Sequence, residues 1–363
     1  MTAADSPLHG LTAPVRVGTR GSALATTQTT LVARELTERS GLSHELVVIR
    51  TEGDVTTGSL ASLGGTGVFA SALRAAVLDA EVDLAVHSLK DLPAAQPEGL
   101  EIIAVPARED VRDALCARDG LTLDELPAGA RVGTGSPRRV AQLKALRPDL
   151  ELVDIRGNVQ TRLARVPGLE QHDDHAPAAA GSPRGDLDAV VLACAGLDRL
   201  GLGHVITERL DTSVMLPAPG QGALAVEVAA SLDRLSLRAG LELLDDRDTH
   251  VAVTAERALL LRFEAGCAAP IGAVARVEEG ESGPRVVLEA MVAALDGSRV
   301  LRHGSSVQLD PVPAEIADDA EASAEWTEDT LLVAAAALGT YVAEQFIAQG
   351  ADLLPGTERG VRD

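Results

Sequence analysis

Along the first two-thirds of the chain, short stretches of alternating apolar and polar residues are each followed by a stretch in which apolar residues recur every three or four positions. "VRVGTR" (15–20) has the two-residue period of a strand, after which Ser22 can cap a helix whose Leu24, Leu31, Val32 and Leu36 recur at helical spacing until Gly41. "ELVVIRTEGD" (45–54) predicts a second strand, "FASALRAAVLDA" (69–80) a second helix, and "VDLAVHSLKDLP" (82–93) a third strand running into a loop closed by Pro93. The arrangement returns in "ARVGTGSPRRVAQLKAL" (130–146), with Ser136 as cap and Pro137 as the first helical residue. It returns again in "LELVDIRGNVQTRLARV" (150–166) and in "LDAVVLACAGLDRLG" (187–201). Strand, turn and helix in series predict an α/β fold.

Beyond about residue 245 the pattern changes. A long helix "RDTHVAVTAERALLLRF" (247–263), strands "RVVLEAMVAAL" (285–295) and "SRVLRHGSSVQL" (298–309), and a last helix near 330–348 predict a smaller α+β domain. Two segments, 166–186 and the acidic 309–329, lack periodicity and are expected to be irregular and exposed.

At 363 residues with 46% apolar content, the chain is long enough for two or three domains with their own cores. It holds no run near the ~20 uninterrupted apolar residues of a membrane span. Its N-terminal residues lack the basic-then-apolar order of an export signal, so a cytoplasmic protein without membrane association is expected. Cys116, Cys194 and Cys267 are too few and too scattered for a disulfide framework. His172 and His175 form a close pair in a loop-like segment, but no His/Cys set has metal-ligand spacing, and no metal site is expected.

A net charge of −22 argues against nucleic acid as a partner. Within 131–165, however, Arg131, Arg138, Arg139, Lys144, Arg147, Arg156, Arg162 and Arg165 outnumber Asp149, Glu151 and Asp154 by eight to three. Of 32 cationic residues only Lys90 and Lys144 are lysines, so this basic region is built from guanidinium groups, which grip carboxylates or phosphates with paired hydrogen bonds. Arg20, Arg138, Arg139, Arg156 and Arg199 are predicted at or near strand-to-helix turns, the edge at which open α/β sheets bind ligands. A cation in a helix's first turn opposes the helix dipole at a cost of ~0.3–1 kcal/mol. Several together imply an anion that offsets the cost. "LGGTGVF" and "VGTGSPRR" look like phosphate cradles, but neither ends in the Gly-Lys-Ser/Thr of a nucleotide loop, which excludes that reading. Cys267, in "RFEAGCAAPIG" (262–272), has Gly266, Ala268 and Ala269 around it; the residues alone allow either an accessible thiol or a small buried one. Cys116 and Cys194 are expected to be inert.

Eight motifs stand in the order and spacing of one family: "GTRGSALA" (18–25), "TEGDV" (51–55), "AVHSLKDLP" (85–93), "VGTGSPRR" (132–139), "RGNVQTRL" (156–163), "LACAGLDRLG" (192–201), "LPAPGQGALAVE" (216–227) and "FEAGCAAPIG" (263–272). On these the chain, from about 15 to about 300, resembles the porphobilinogen deaminases. The resemblance implies two periplasmic-binding-protein-like doubly wound α/β domains, 1–106 with 217–240 and 107–216. A C-terminal α+β domain, 241–363, completes a chain expected to be monomeric. It implies an enzyme of hydroxymethylbilane synthase activity that extends a covalent dipyrromethane cofactor by four molecules of porphobilinogen. Ammonia leaves at each step, and hydrolysis frees the linear product. By the same resemblance Cys267 attaches the cofactor through a thioether, Asp91 is the catalytic carboxylate, and Ser88, Lys90, Ser136, Arg138, Arg139 and Arg156 bind the cofactor. Arg20, Ser22, Phe69, Arg156, Arg162, Arg199 and Gln221 are the implied substrate-binding residues. Thr66 stands where many relatives have lysine, and 166–186 is longer than the family's usual connection. The competing reading is a non-catalytic anion-binding protein of the same architecture, which would keep the arginines but have no use for Cys267 with Asp91.

Overall fold

The computed structural model describes residues 13–49, 68–169, 184–264, 269–280, 283–309 and 319–351. A first α/β unit begins with β1 (Val15–Thr19), α1 (Ala23–Ser40), β2 (His44–Val48), α2 (Val68–Leu78), β3 (Leu84–Ser88) and β4 (Leu100–Ala104). Ser22 caps α1 by accepting from Ala25 N, and Gly41 ends it in the left-handed conformation at φ 75°. The chain crosses through 105–112 into a second unit of β5 (Asp113–Ala117), β6 (Arg131–Gly133), α3 (Pro137–Leu146), β7 (Glu151–Val153), α4 (Val159–Leu163), β8 (Ala189–Ala193), α5 (Cys194–Arg199) and β9 (Glu208–Leu210). It returns through 211–223 to β10 (Leu224–Ala229) and α6 (Leu235–Glu242).

The two five-stranded sheets share one plan. Their orders are β2-β1-β3-β10-β4 and β7-β6-β8-β5-β9, and β10 and β5 run antiparallel to both of their neighbours. Each of these strands follows directly on a crossing. Its first residues therefore lie beside the carboxyl ends of its neighbours, with Leu224 opposite Ser88 and Asp113 opposite Ala193. Both crossings thus deliver side chains to the edge where such sheets bind ligands. The expected pair of doubly wound α/β sheets is present; β4, β5, β9, β10 and α6 are elements that periodicity had not announced.

The third unit holds α7 (Arg247–Arg262), β11 (Ile271–Gly280), β12 (Gly283–Ala293), β13 (Val300–Gln308) and α8 (Ala320–Ala348), with an antiparallel sheet in the order β11-β12-β13. This is the expected smaller α+β arrangement. Val251, Leu259, Phe263, Leu288, Leu338 and Phe346 form its core. A Cβ at Gly339 would stand 2.1 Å from Ala255 O, so the missing side chain is what lets α8 close on α7. One expectation fails: α8 starts at Ala320, inside the acidic segment read as irregular, because Asp319 Oδ1 accepts from Ala322 N at 3.1 Å and caps it. Trp326–Ala348 has the length and mean hydropathy, 1.6, of a membrane span, but Leu331, Ala335, Val342 and Phe346 are buried in the unit's own core.

Glu256, fully buried on α7, joins this unit to both crossings. Its carboxylate accepts from Arg108 Nη1 at 2.7 Å and Nη2 at 2.9 Å on the outgoing crossing. It also accepts from Gly220 N at 2.6 Å on the returning crossing and from Ala275 N at 2.8 Å on β11. Arg108 Nε donates to Gln221 O at 2.8 Å, tying the crossings to each other. Arg108→Leu removes one partner and leaves a buried carboxylate short of its counter-charge. We expect a loss of about 3–5 kcal/mol, read as a lower urea midpoint at unchanged slope.

Candidate active site

The carboxyl end of β3 runs into a single tight turn, Leu89–Asp91, that presents Ser88, Lys90 and Asp91 at the cleft while Leu89, 1% exposed, anchors it below. Asp91 is exposed, and among the described residues its carboxylate has no hydrogen-bond partner. Lys90 Nζ donates to Gln221 Oε1 at 3.4 Å. Burial, opposed by Asp91 and reinforced by Arg139, brings the Lys90 ammonium down to about 8. Ser88 Oγ donates to Gln28 Oε1 at 3.1 Å on α1.

Across the cleft, Ser136 caps α3 with Pro137 behind it, so Arg138 and Arg139 occupy the first turn, as the sequence predicts. Both are nearly fully buried, and most of their donors have protein partners. Asp113, at the start of β5, accepts from Arg138 Nη1 at 2.7 Å and Nη2 at 3.2 Å, and from Arg139 Nε at 3.0 Å and Nη2 at 2.7 Å. Arg139 Nη1 donates to Val191 O at 2.9 Å. Arg138 Nε is buried without a partner. Burial works against the Asp113 charge, but Arg138 and Arg139 outweigh it and hold the carboxyl far below its usual range.

Arg156 follows β7, with Nη2 3.3 Å from Asp154 and its buried Nε unpartnered. Arg162, on α4, donates through Nε to Gly157 O at 2.8 Å. Burial, then the positive charges of Arg139 and Arg156, lower it to about 10. Arg199 departs from expectation, since it closes α5 instead of opening it; its Nη2 donates to Gly222 O at 2.8 Å. Arg20 and Ser22 lie at the turn between β1 and α1, as read from the sequence. Cys267, Thr66, the side chain of Phe69, and the His172 and His175 pair lie outside the described residues. Cys116 and Cys194 are fully buried, and burial raises both thiols to about 12; Cys194 opens α5.

Three buried acidic residues escaped the sequence reading: Asp113, Glu256 and Glu227. Glu227, on β10, accepts from Arg74 Nε at 3.0 Å and Nη2 at 2.9 Å and from Gln96 Nε2 at 3.0 Å, and His87 Nε2 stands 3.3 Å away. It links α2 to the strand that ends in the Asp91 turn. Burial opposes its charge, yet the nearby His87 and the bonds from Arg74 outweigh it and hold the carboxyl at about 2. Gln221 was legible as part of a Gly-Gln-Gly turn. A Cβ at Gly222, φ 88°, would stand 2.5 Å from Glu109 O, so the returning crossing passes the outgoing one only without a side chain there.

Fold and site together define a two-sheet α/β protein whose cationic cleft surrounds one carboxylate-bearing turn. Comparison with known proteins narrows this class. The model of the porphobilinogen deaminase dipyrromethane cofactor binding domain matches residues 15–236, and that of the porphobilinogen deaminase C-terminal domain matches 250–325. A porphobilinogen deaminase of Micrococcus luteus is 78% identical over 362 residues, 96% of each chain. One from Cutibacterium acnes is 54% identical over 340 residues, 93% of this chain and 95% of the other. The chain belongs to the porphobilinogen deaminase family. Among solved structures, a periplasmic substrate-binding protein of an ABC transporter from Coxiella burnetii is 16% identical at a TM-score of 0.38, covering 62% of this chain and 91% of that one. So low a score adds nothing to the topology described above.

Glu227 yields a pH prediction. Its carboxyl ordinarily titrates at 4.5 and is held at about 2 in the fold, so its stabilising contribution is complete above 4.5 and is lost as pH falls toward 2. We expect Glu227→Gln to remove up to about 3 kcal/mol of the stability lost over that window, measured as a flatter dependence of the urea midpoint on pH.

Proposed function

We propose that this chain condenses four molecules of porphobilinogen head to tail on a covalently held dipyrromethane, with Asp91 as the catalytic carboxylate and the surrounding guanidinium groups as the clamp for the growing chain. The activity is that of a hydroxymethylbilane synthase, a transferase of tetrapyrrole biosynthesis. The observation that carries the residue assignment is the charge imbalance of the cleft. Among the described residues, Lys90, Arg138, Arg139, Arg156 and Arg162 act on one another there, set against Asp91, Asp113 and Asp154. A chain of pyrroles, each bearing two carboxylates, supplies the missing negative charge, and the orphaned Nε atoms of Arg138 and Arg156 offer it donors. The donor set therefore fits the cofactor.

In this reading Cys267 would hold dipyrromethane through a thioether, lined by Ser88, Lys90, Ser136, Arg138, Arg139 and Arg156. When bound, that group supplies the primer to which pyrroles are added. Arg20, Ser22, Phe69, Arg156, Arg162 and Arg199 would orient the incoming porphobilinogen by its carboxylates and ring. Loss of ammonia from the aminomethyl pyrrole spreads positive charge over the ring. The Asp91 carboxylate, exposed and without a competing protein donor among the described residues, stabilises that cation and accepts a hydrogen bond from the pyrrole N–H. We assign the sheets and the third unit to the domains 1–106 with 217–240, 107–216 and 241–363, and the protein to the cytoplasm as a monomer acting without nucleic acid or membrane.

Two measurements test this. Intact-protein mass spectrometry should give a mass above that of the sequence by two pyrrole units, and Cys267→Ala should lose both the added mass and the activity; an unmodified active protein overturns the attachment. Asp91→Asn should fold and carry the cofactor yet condense pyrroles roughly 100- to 1,000-fold more slowly. Single-turnover mixing with porphobilinogen, followed by native mass spectrometry of the enzyme–pyrrole ladder, reads this directly. Condensation at the parent rate would leave Asp91 as an ordinary turn residue.

A further inference from the structure

The amide of Gln221 is committed on both sides. It is fully buried, Nε2 donates to Val111 O at 2.8 Å and to Asp113 Oδ1 at 2.9 Å, and Oε1 accepts from Lys90 Nζ at 3.4 Å. Both amide hydrogens are used, and the remaining lone pair of Oε1 can only repel a carboxylate. Asp113 is equally enclosed, with Arg138 and Arg139 around its oxygens. The two residues come from different crossings, Asp113 at the end of the outgoing one and Gln221 on the returning one.

We propose that Asp113 and Gln221 are positioning residues that tie Arg138 and Arg139 of the second sheet to Lys90 in the turn that carries Asp91, so holding the two halves of the cleft in register. The cleft's importance rests on the functional reading above; the link itself does not. Asp113 orients the guanidinium pair and offsets its charge. Gln221 extends the same chain of hydrogen bonds to the first sheet. Gln221 then acts on substrate through Lys90 and not by contact.

Lys90 reports the state of the link. Asp91 and Asp113 face it as anions, Arg138 and Arg139 as cations, and the Gln221 carbonyl accepts from its ammonium. The chain's other lysine, Lys144, is exposed on α3 and serves as an internal reference. The purified full-length protein is acylated with an amine-reactive acetyl ester over a pH series, and the two lysine peptides are quantified by mass spectrometry. The parent midpoint is the reference: about 8 from the protein groups alone, and higher where the cofactor's carboxylates stand beside Lys90. Gln221→Leu removes the acceptor and should lower that midpoint by about one unit, so that Lys90 labels several-fold faster than in the parent at neutral pH. Asp113→Asn removes the anion that offsets two guanidinium groups and should lower it further. In both variants kcat should fall roughly tenfold or more. A role confined to stability would lower the thermal midpoint and leave the Lys90 titration in place, which overturns the proposal, as does a rise of the midpoint in a folded variant. Should Asp113→Asn lose its cooperative thermal transition, Gln221→Leu decides alone by the same criterion. Absence of the pyrrole mass would overturn the functional reading while leaving these midpoints measurable, so the two failures are distinct.

Discussion

A carboxylate removed from water costs several kcal/mol unless donors surround it, and the position of Glu256 turns that cost into a constraint on the whole molecule. Its donors come from Arg108, Gly220 and Ala275, on two crossings and a strand of the third unit. They satisfy it only when all three segments meet. Slippage of any one leaves a buried charge short of a partner, so the pair with Arg108 contributes a unique arrangement more than net stability. The cleft inherits its geometry from this point: Gly220 is followed at once by Gln221, and the crossing that carries Arg108 ends at Asp113.

From there the cations divide into two kinds. Arg138 and Arg139 open α3, where the helix dipole disfavours them, and Asp113 offsets both, so the protein itself fixes their place. Arg156 and Arg162 are compensated less: among the described residues one pairs with an exposed aspartate, and the other donates to a backbone carbonyl and is lowered by burial and its positive neighbours more than Asp91 and Asp154 raise it. A cluster of guanidinium groups that is only partly offset costs stability in the unliganded protein. That expense is understandable where the ligand is itself a polyanion.

Much of this was legible before the structure. The βα units around β1 and β6 were plain because a short strand precedes a capped helix, with Ser22, Ser136 and Pro137 marking the helix starts, and β3 was legible as a strand running into a loop. β5 and β10 were not, because each is sheathed on both sides: "DALCA" is buried at every position and carries no alternation to read. Their antiparallel insertion depends on the crossings, which is a long-range property no local window contains. The start of α8 was missed for a local reason, an acidic run read as irregular where Asp319 makes it a cap. Site residues with a motif could be picked out; Asp113, Glu227 and Glu256 could not, since a buried carboxylate looks in sequence like a surface one until its arginine partners arrive from distant segments.

The chemistry of position 221 shows how narrow the remaining choice is. The side chain there must donate to a carboxylate, Asp113, and accept from an ammonium, Lys90, at the same time. A carboxylate would repel Asp113, a cation would crowd Lys90 and the two arginines, and a hydroxyl is too short to reach both sides. A neutral imidazole has one donor and one acceptor, whereas an amide has two donors and an acceptor, enough for Val111 O, Asp113 and Lys90 together, and of the two amide side chains glutamine has the longer reach. The flanking glycines serve the same end: Gly222, at φ 88° and with no room for a Cβ beside Glu109 O, lets the crossing turn so that this one amide stands between the sheets.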